Sequence, residues 1–437
     1  MCAAVLFALG LLCACEDPPP EPEQPEPERA EPERREPGPT AAADDPLEGL
    51  DEPATADEVV APPAGTIAAP GTIAAAAPDR GCVAVTDGAV KVWARPGPAT
   101  IVASGASFVV AGYAPGESSG EDAYLVQLAP DVAPRPIRRI TLDPPATAGR
   151  VAAPGLAAAA GGRLVLAVLD GRGRVRATEI DPNDPLAEIR LKTLAEAADS
   201  RFAPAVAALA RTRLVAWTDG TGTPMRVRLA VLGLDGTVAS RHDVTPESMG
   251  ASAPTFGAGM SPALYFLDAR AGVSPIVRVP IGADGTPQAS AVARPVGTVT
   301  APPRLAVARG DGRVWAAYTA VGNAAATAVG YLPLDGTDTA PAAIVPGTGY
   351  GPLHVSAASA PGAAIFAADA PKDTPPTSPR EVHVRLVDED GVGPALTLQA
   401  PDGTARHASI ARGAHGIAGV AFTAGDGVYV AWIRCDD

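Results

Sequence analysis

A chain of 437 residues with a formal charge of −15 reads at first as uniformly acidic, but the charge is local. Residues 16–60 hold sixteen Asp or Glu against three Arg (Arg29, Arg34, Arg35), which is −13 and leaves about −2 for the rest. No Lys/Arg cluster remains to neutralise phosphates, which sets nucleic-acid partners aside; aromatics at 4% set aside one thick core, so many thin layers of Val, Leu, Ile and Ala are expected instead.

The chain opens on an address. Residues 3–14, AAVLFALGLLCA, form an apolar run of signal-peptide length, too short to be a permanent membrane span. Leu12-Cys13-Ala14-Cys15 resembles the bacterial lipobox, with an aliphatic residue three before the cysteine and a small one just before it. Cys15 fits this pattern and Cys13 does not, because Leu12 precedes it; the departure is that no Lys or Arg precedes the apolar run. The resemblance implies a diacylglyceryl anchor on Cys15, stable because two acyl chains embed where one would not. Ordinary cleavage to a secreted form is the alternative. No later stretch reaches 18 uninterrupted apolar residues, so the expected location is the cell envelope, with the lipid as the membrane contact.

From Glu16 to Pro39 the sequence EDPPPEPEQPEPERAEPERREPGP lacks aromatic and β-branched residues and cannot bury enough to fold. Frequent proline and mutually repelling carboxylates favour an extended, polyproline-like chain. Residues 40–80 are less charged and duplicate a Gly-Thr-Ile-Ala-Ala stretch at 65–69 and 71–75. The expected organisation is a signal peptide over 1–14, an anchored acidic tether and linker over 15–81, and one repeat domain over 82–437.

The repeat has a period close to 50. A small residue or proline, then proline, then an apolar stretch recurs at Gly97-Pro98, Ala153-Pro154, Ala203-Pro204, Ala253-Pro254, Pro302-Pro303 and Gly351-Pro352, and a seventh copy near Arg406-His407 has lost its proline. Each copy leads into a continuous apolar run, such as LVLAVLD (164–170) or LVAWTD (214–219), as expected of strands buried on both faces. A third strand follows and ends in acid at Asp131, Asp181, Asp235, Asp284, Asp335 and Asp390. In four of these the acid is Asp-Gly, which predicts a type I′ hairpin. About four short strands per unit over seven units, without helical periodicity, predict an all-β propeller of about seven four-stranded blades. A two-sheet sandwich would alternate without keeping so strict a period.

The seventh unit reaches Asp437 without an outer strand, while residues 82–85 and 90–93 supply surplus β-like sequence ahead of the first unit. Placing that surplus at the edge of the last blade closes the ring. It also sets Cys82 beside Cys435, the two cysteines that bracket the domain, and predicts a disulfide between them.

The chemistry is less legible. The repeat loosely resembles the propeller repeats of secreted bacterial proteins and sialidase-like folds, yet the Ser-x-Asp-x-Gly-x-x-Trp box is not met: Leu232-Gly233-Leu234-Asp235-Gly236 has the turn without the serine or the aromatic. The histidines, His242, His354, His383, His407 and His415, show no metal-ligand spacing and read as surface or loop residues, so no metal and no cofactor is expected. The recurring polar positions are Asp170, Asp219, Asp268 and Asp369, at the end of the second strand in four units. They could line a ligand face, or cap turns by accepting backbone amides. The loops from Pro115 to Asp122, Ala269 to Pro275 and Ala370 to Pro379 open on that same face and vary most, which is where binding tends to sit on a rigid scaffold. No catalytic residue is assigned. The first reading is a non-enzymatic binding module for an extracellular or envelope protein or glycan; the alternatives are a glycan-directed hydrolase or lyase, and a scaffold subunit of an envelope complex.

Overall fold

The computed structural model describes residues 80–435, apart from short stretches at 87, 116–119, 147–150, 185–186, 221–223, 246–249, 258–261, 269–273, 297–298, 300–302, 311, 322–326, 335–341, 350–353, 372–378 and 402. The expected signal peptide, Cys15 anchor and acidic tether fall outside the described residues, as do the centres of the three variable loops.

The domain is a seven-bladed propeller. Seven separate antiparallel sheets follow one another in chain order. In blade 1 the strands run outward as Ala99–Ser104, Ser107–Pro115, Glu121–Ala129 and Val132–Ile140. The inner strands of blades 2 to 7 are Gly155–Ala158, Ala205–Ala208, Ala251–Gly257, Leu305–Arg309, Val355–Ala360 and Arg406–Arg412. Every apolar run expected as a second strand is one. Leu164–Leu169 and Ala263–Asp268 are buried at every position, because a second strand is covered on both faces by neighbouring blades. The core is therefore a series of layers between blades: Leu214, Leu229, Leu264, Phe266 and Val277 fill one such layer between blades 3 and 4. Small side chains suit it, since a buried Ala or Val lets sheets approach where larger residues would splay them.

The seam closes as the surplus strand predicts. Cys82–Ala84 pairs with Gly427–Cys435 in the register Cys82↔Cys435, Val83↔Arg434, Ala84↔Ile433, and Val90–Trp93 extends the same edge. The Cys82 and Cys435 sulfurs are bonded across a sequence separation of 353. Phe108 of blade 1 packs on Trp432 of blade 7 with ring centroids 5.0 Å apart, and the Ile101 amide donates to Ser409 Oγ at 3.2 Å.

The Asp-Gly turns differ from expectation. Gly236 and Gly285 take positive φ (74° and 91°), but their aspartates do not, so these are not type I′ hairpins. Instead Asp235 accepts the Thr237 amide at 3.0 Å and its hydroxyl at 2.7 Å, and Asp284 treats Thr286 alike. The pairing slips by one residue just beyond, between Val231 and Leu232. Only the glycine needs left-handed backbone in such a bulged turn, because the aspartate is held by side-chain bonds that require ordinary φ.

Candidate functional site

The starts of all seven inner strands converge on the axis and enclose a cavity of about 1080 Å³, just above the usual range for ligand sites. Pro98, Pro154, Pro204 and Pro254, the recurring prolines of the repeat, sit on its wall. Their fixed φ and missing N–H let each chain enter its blade with no donor left facing the axis. Gly155 is glycine because the blades close tightly here: a Cβ would lie 2.2 Å from the Pro204 carbonyl oxygen.

Around this apolar wall stand Arg201, Phe202, Arg304, His354, Arg406 and His407, and no Asp or Glu is among the described lining residues. Phe202, 4% exposed, is bracketed by two guanidinium groups, Arg201 at 5.6 Å and Arg304 at 5.7 Å from the ring centroid. Arg201 is neutralised by Asp199, whose carboxylate it engages through Nε at 2.9 Å. Burial pulls Arg304 below the usual guanidinium value, with Asp369 opposing.

Below the wall lies a buried polar cluster. Asp369 accepts the His354 amide through Oδ1 and the His407 amide through Oδ2, the latter at 3.2 Å, with Arg380 at 3.4 Å. Burial alone would favour the protonated acid, but the His354 ring and amide and the Arg380 guanidinium outweigh it and hold Asp369 well below the usual carboxylate range. The His354 and His407 rings lie 4.1 Å apart; the His354 Nδ1 faces Asp369 Oδ2 at 3.7 Å, while the His407 Nδ1 has no hydrogen-bond partner among the described residues. Burial, reinforced by the neighbouring His354, Arg304 and Arg406, pushes His407 down to about 3, Asp369 opposing, so its ring is neutral at physiological pH.

His407 also has φ of 56°, and Ala253 has φ of 55° at the matching position of blade 4, each within a register shift of its inner strand. Such left-handed residues cost about 1–3 kcal/mol each and persist where the surroundings impose them. Here they turn two strand entries toward the cavity.

The sequence-predicted residues are placed as follows. Asp170 is fully buried and accepts the Arg172 and Arg174 amides (3.0 and 3.1 Å) and Arg174 Nε. Asp219 pairs with Arg228, and Asp268 accepts the Gly250 amide at 3.0 Å. In blade 5 Thr319 does the same task, accepting the Arg304 amide at 2.9 Å. None of the four aspartates is on the cavity wall; each lies behind it, bonded to backbone or to arginine. The expectation of surface or loop histidines fails for His407, which is part-buried in the strand Arg406–Arg412 on the wall, whereas His354, also part-buried on the wall, is a loop residue ahead of its strand. Among the described residues, no group of three or more His, Cys, Asp and Glu could hold a metal.

No family model matches the sequence, and no curated protein matches it. Solved structures do match in fold. A lectin from Burkholderia pseudomallei is similar at 12% identity and a TM-score of 0.57, covering 78% of this chain and 97% of that one. Two further likenesses are weaker: prolyl endopeptidases (13% identity, TM-score 0.46, 79% of this chain and 50% of theirs) and an α-L-arabinanase from Penicillium chrysogenum (12%, 0.40, 64% and 92%). At such identities the likeness is one of fold alone.

Proposed function

We propose that this chain is an exported, lipid-anchored binding module that takes a ligand, a glycan or a protein segment, into its axial cavity. The observation that carries this reading is the cavity itself: seven inner strands contribute to one rigid wall, and its charged groups are arginine and histidine. Hydrolysis of glycosides draws on a pair of carboxyl groups flanking the bond, and the wall offers no such pair among its described residues. The aspartates behind it are held by backbone amides or arginine, which suits structure better than proton transfer.

Filling the cavity tests the reading. Ala153→Trp, on the wall at the entry to blade 2, is expected to abolish the wild-type pattern on a glycan and peptide array while leaving the thermal midpoint nearly unchanged. Retention of that pattern would place binding elsewhere. The anchor rests on Cys15 and is tested separately: Cys15→Ala is expected to leave the detergent phase, and continued partitioning into detergent would overturn it.

A further inference from the structure

We infer that the ligand of the axial cavity is an acidic oligosaccharide, held by its carboxylate on Arg304 and Arg406. This rests on the cavity being the binding site, and adds the chemical class.

The argument is one of charge and pairing. Arg201 has its counter-ion in Asp199, and Asp369 is balanced by Arg380. That leaves Arg304 and Arg406, neither of which forms an ion pair with any described residue. Arg406 is exposed, but Arg304 is largely withdrawn from water over Phe202, and the one hydrogen bond of its guanidinium to a described residue is a long one, 3.4 Å to the Pro303 carbonyl oxygen. Asp369 and Asp199 act on Arg304 only at a distance and are each bonded to another arginine; a guanidinium drawn out of water without a direct ion-pair partner is unfavourable, and an incoming carboxylate would supply one. The planar fork of donors matches a carboxylate in two parallel bonds.

Sugar, rather than peptide, follows from the rest of the wall. Ser356 and Ser409 each accept a backbone amide, from Ile410 at 3.1 Å and Ile101 at 3.2 Å, so each keeps its own hydroxyl proton to donate. The neutral His407 ring brings no third full charge to the wall. Such groups suit a chain of hydroxyls around one anionic centre, whereas an acidic peptide would bring several carboxylates to two free cations. Phe256 and the prolines supply apolar surface for the faces of sugar rings.

The test measures binding by calorimetry at neutral pH with three probes of similar length: tetragalacturonate, its methyl ester, and tetraglutamate. Tetragalacturonate is expected to bind at least tenfold more tightly than either of the others, and to weaken as salt rises. Arg304→Met is expected to lower its affinity about 30-fold and Arg406→Gln about fivefold, with Arg304→Lys recovering part of the loss. Arg406 is exposed, so its variant reports even where the Arg304 variants fold poorly. Equal affinity for the methyl ester, preference for tetraglutamate, or no binding of tetragalacturonate would overturn the inference. Ligand binding that Ala153→Trp abolishes but Arg304→Met and Arg406→Gln spare would overturn the charge assignment and leave the cavity reading standing. Binding indifferent to all three variants would overturn both.

Discussion

Replacing Asp369 with Asn is expected to destabilise the domain by about 3–5 kcal/mol, the cost of removing one partner from a buried ion pair. The carboxylate is 1% exposed, accepts two backbone amides from different blades and faces Arg380. Asn keeps the shape but offers one acceptor where two donors converge, and removes the charge that Arg380 meets. The pH dependence follows from the direction of the shift. Folding lowers the Asp369 pKa from an unfolded value of about 3.9, so its contribution is fully present above about pH 4 and lost as pH falls through the folded value. The gap between wild type and variant, read from urea midpoints, is therefore expected to be constant from pH 5 to 8 and to narrow below pH 4. His407 acts in the same direction: it stays neutral down to about pH 3 while the unfolded imidazole protonates near 6.5, so the wild type weakens as pH falls through that interval. An Asp369→Asn variant within 0.5 kcal/mol of wild type at pH 7 would mean the cluster does not hold blades 6 and 7 together.

The seam carries the second large effect. Joining Cys82 to Cys435 closes almost the whole domain into one covalent loop, which in the chain-entropy model stabilises by on the order of 4–5 kcal/mol. The paired substitution Cys82→Ser with Cys435→Ser avoids leaving a lone thiol and is expected to lose most of that in denaturant unfolding. The short strand Cys82–Ala84 should then exchange its amides faster than the inner strands, since it has a neighbour on one side only. An unchanged midpoint would show that Phe108, Trp432 and the edge pairing suffice to close the ring.

The architecture was legible because propeller packing imposes itself on sequence. A second strand covered on both faces must be continuously apolar, and Leu164–Leu169 and Ala263–Asp268 read that way before any fold is considered. The closure was legible for a related reason: an unpaired edge at one end and a surplus strand at the other, each with a cysteine, have one economical arrangement. The site was not legible to the same degree. Arg201, Phe202 and Arg304 lie in or beside the links between blades, where no periodicity constrains residue type, and they meet because a ring brings links about 100 residues apart to one axis. His407 left one clue, standing just before the place where the recurring proline is lost. The aspartates drew attention because they repeat, yet residues repeat when blades need the same support, and in blades 2, 4, 5 and 6 that position supplies an acceptor for backbone amides. A ligand contact has no reason to recur from blade to blade. The Asp-Gly turns mislead in a similar way, since the dipeptide serves bulged turns as well as tight ones and only strand register tells them apart.

The central claim is that ligand enters the axial cavity, and a hydrogen-exchange footprint of the full chain with and without saturating tetragalacturonate tests it most directly. The account predicts slowed exchange at the inner-strand entries around Thr100, Leu156, Val206, Leu305, Val355 and Ala408, with the outer strands unchanged. Protection confined to the Asp235 and Asp284 turns on the opposite face, or to outer strands such as Val132–Ile140, would contradict it.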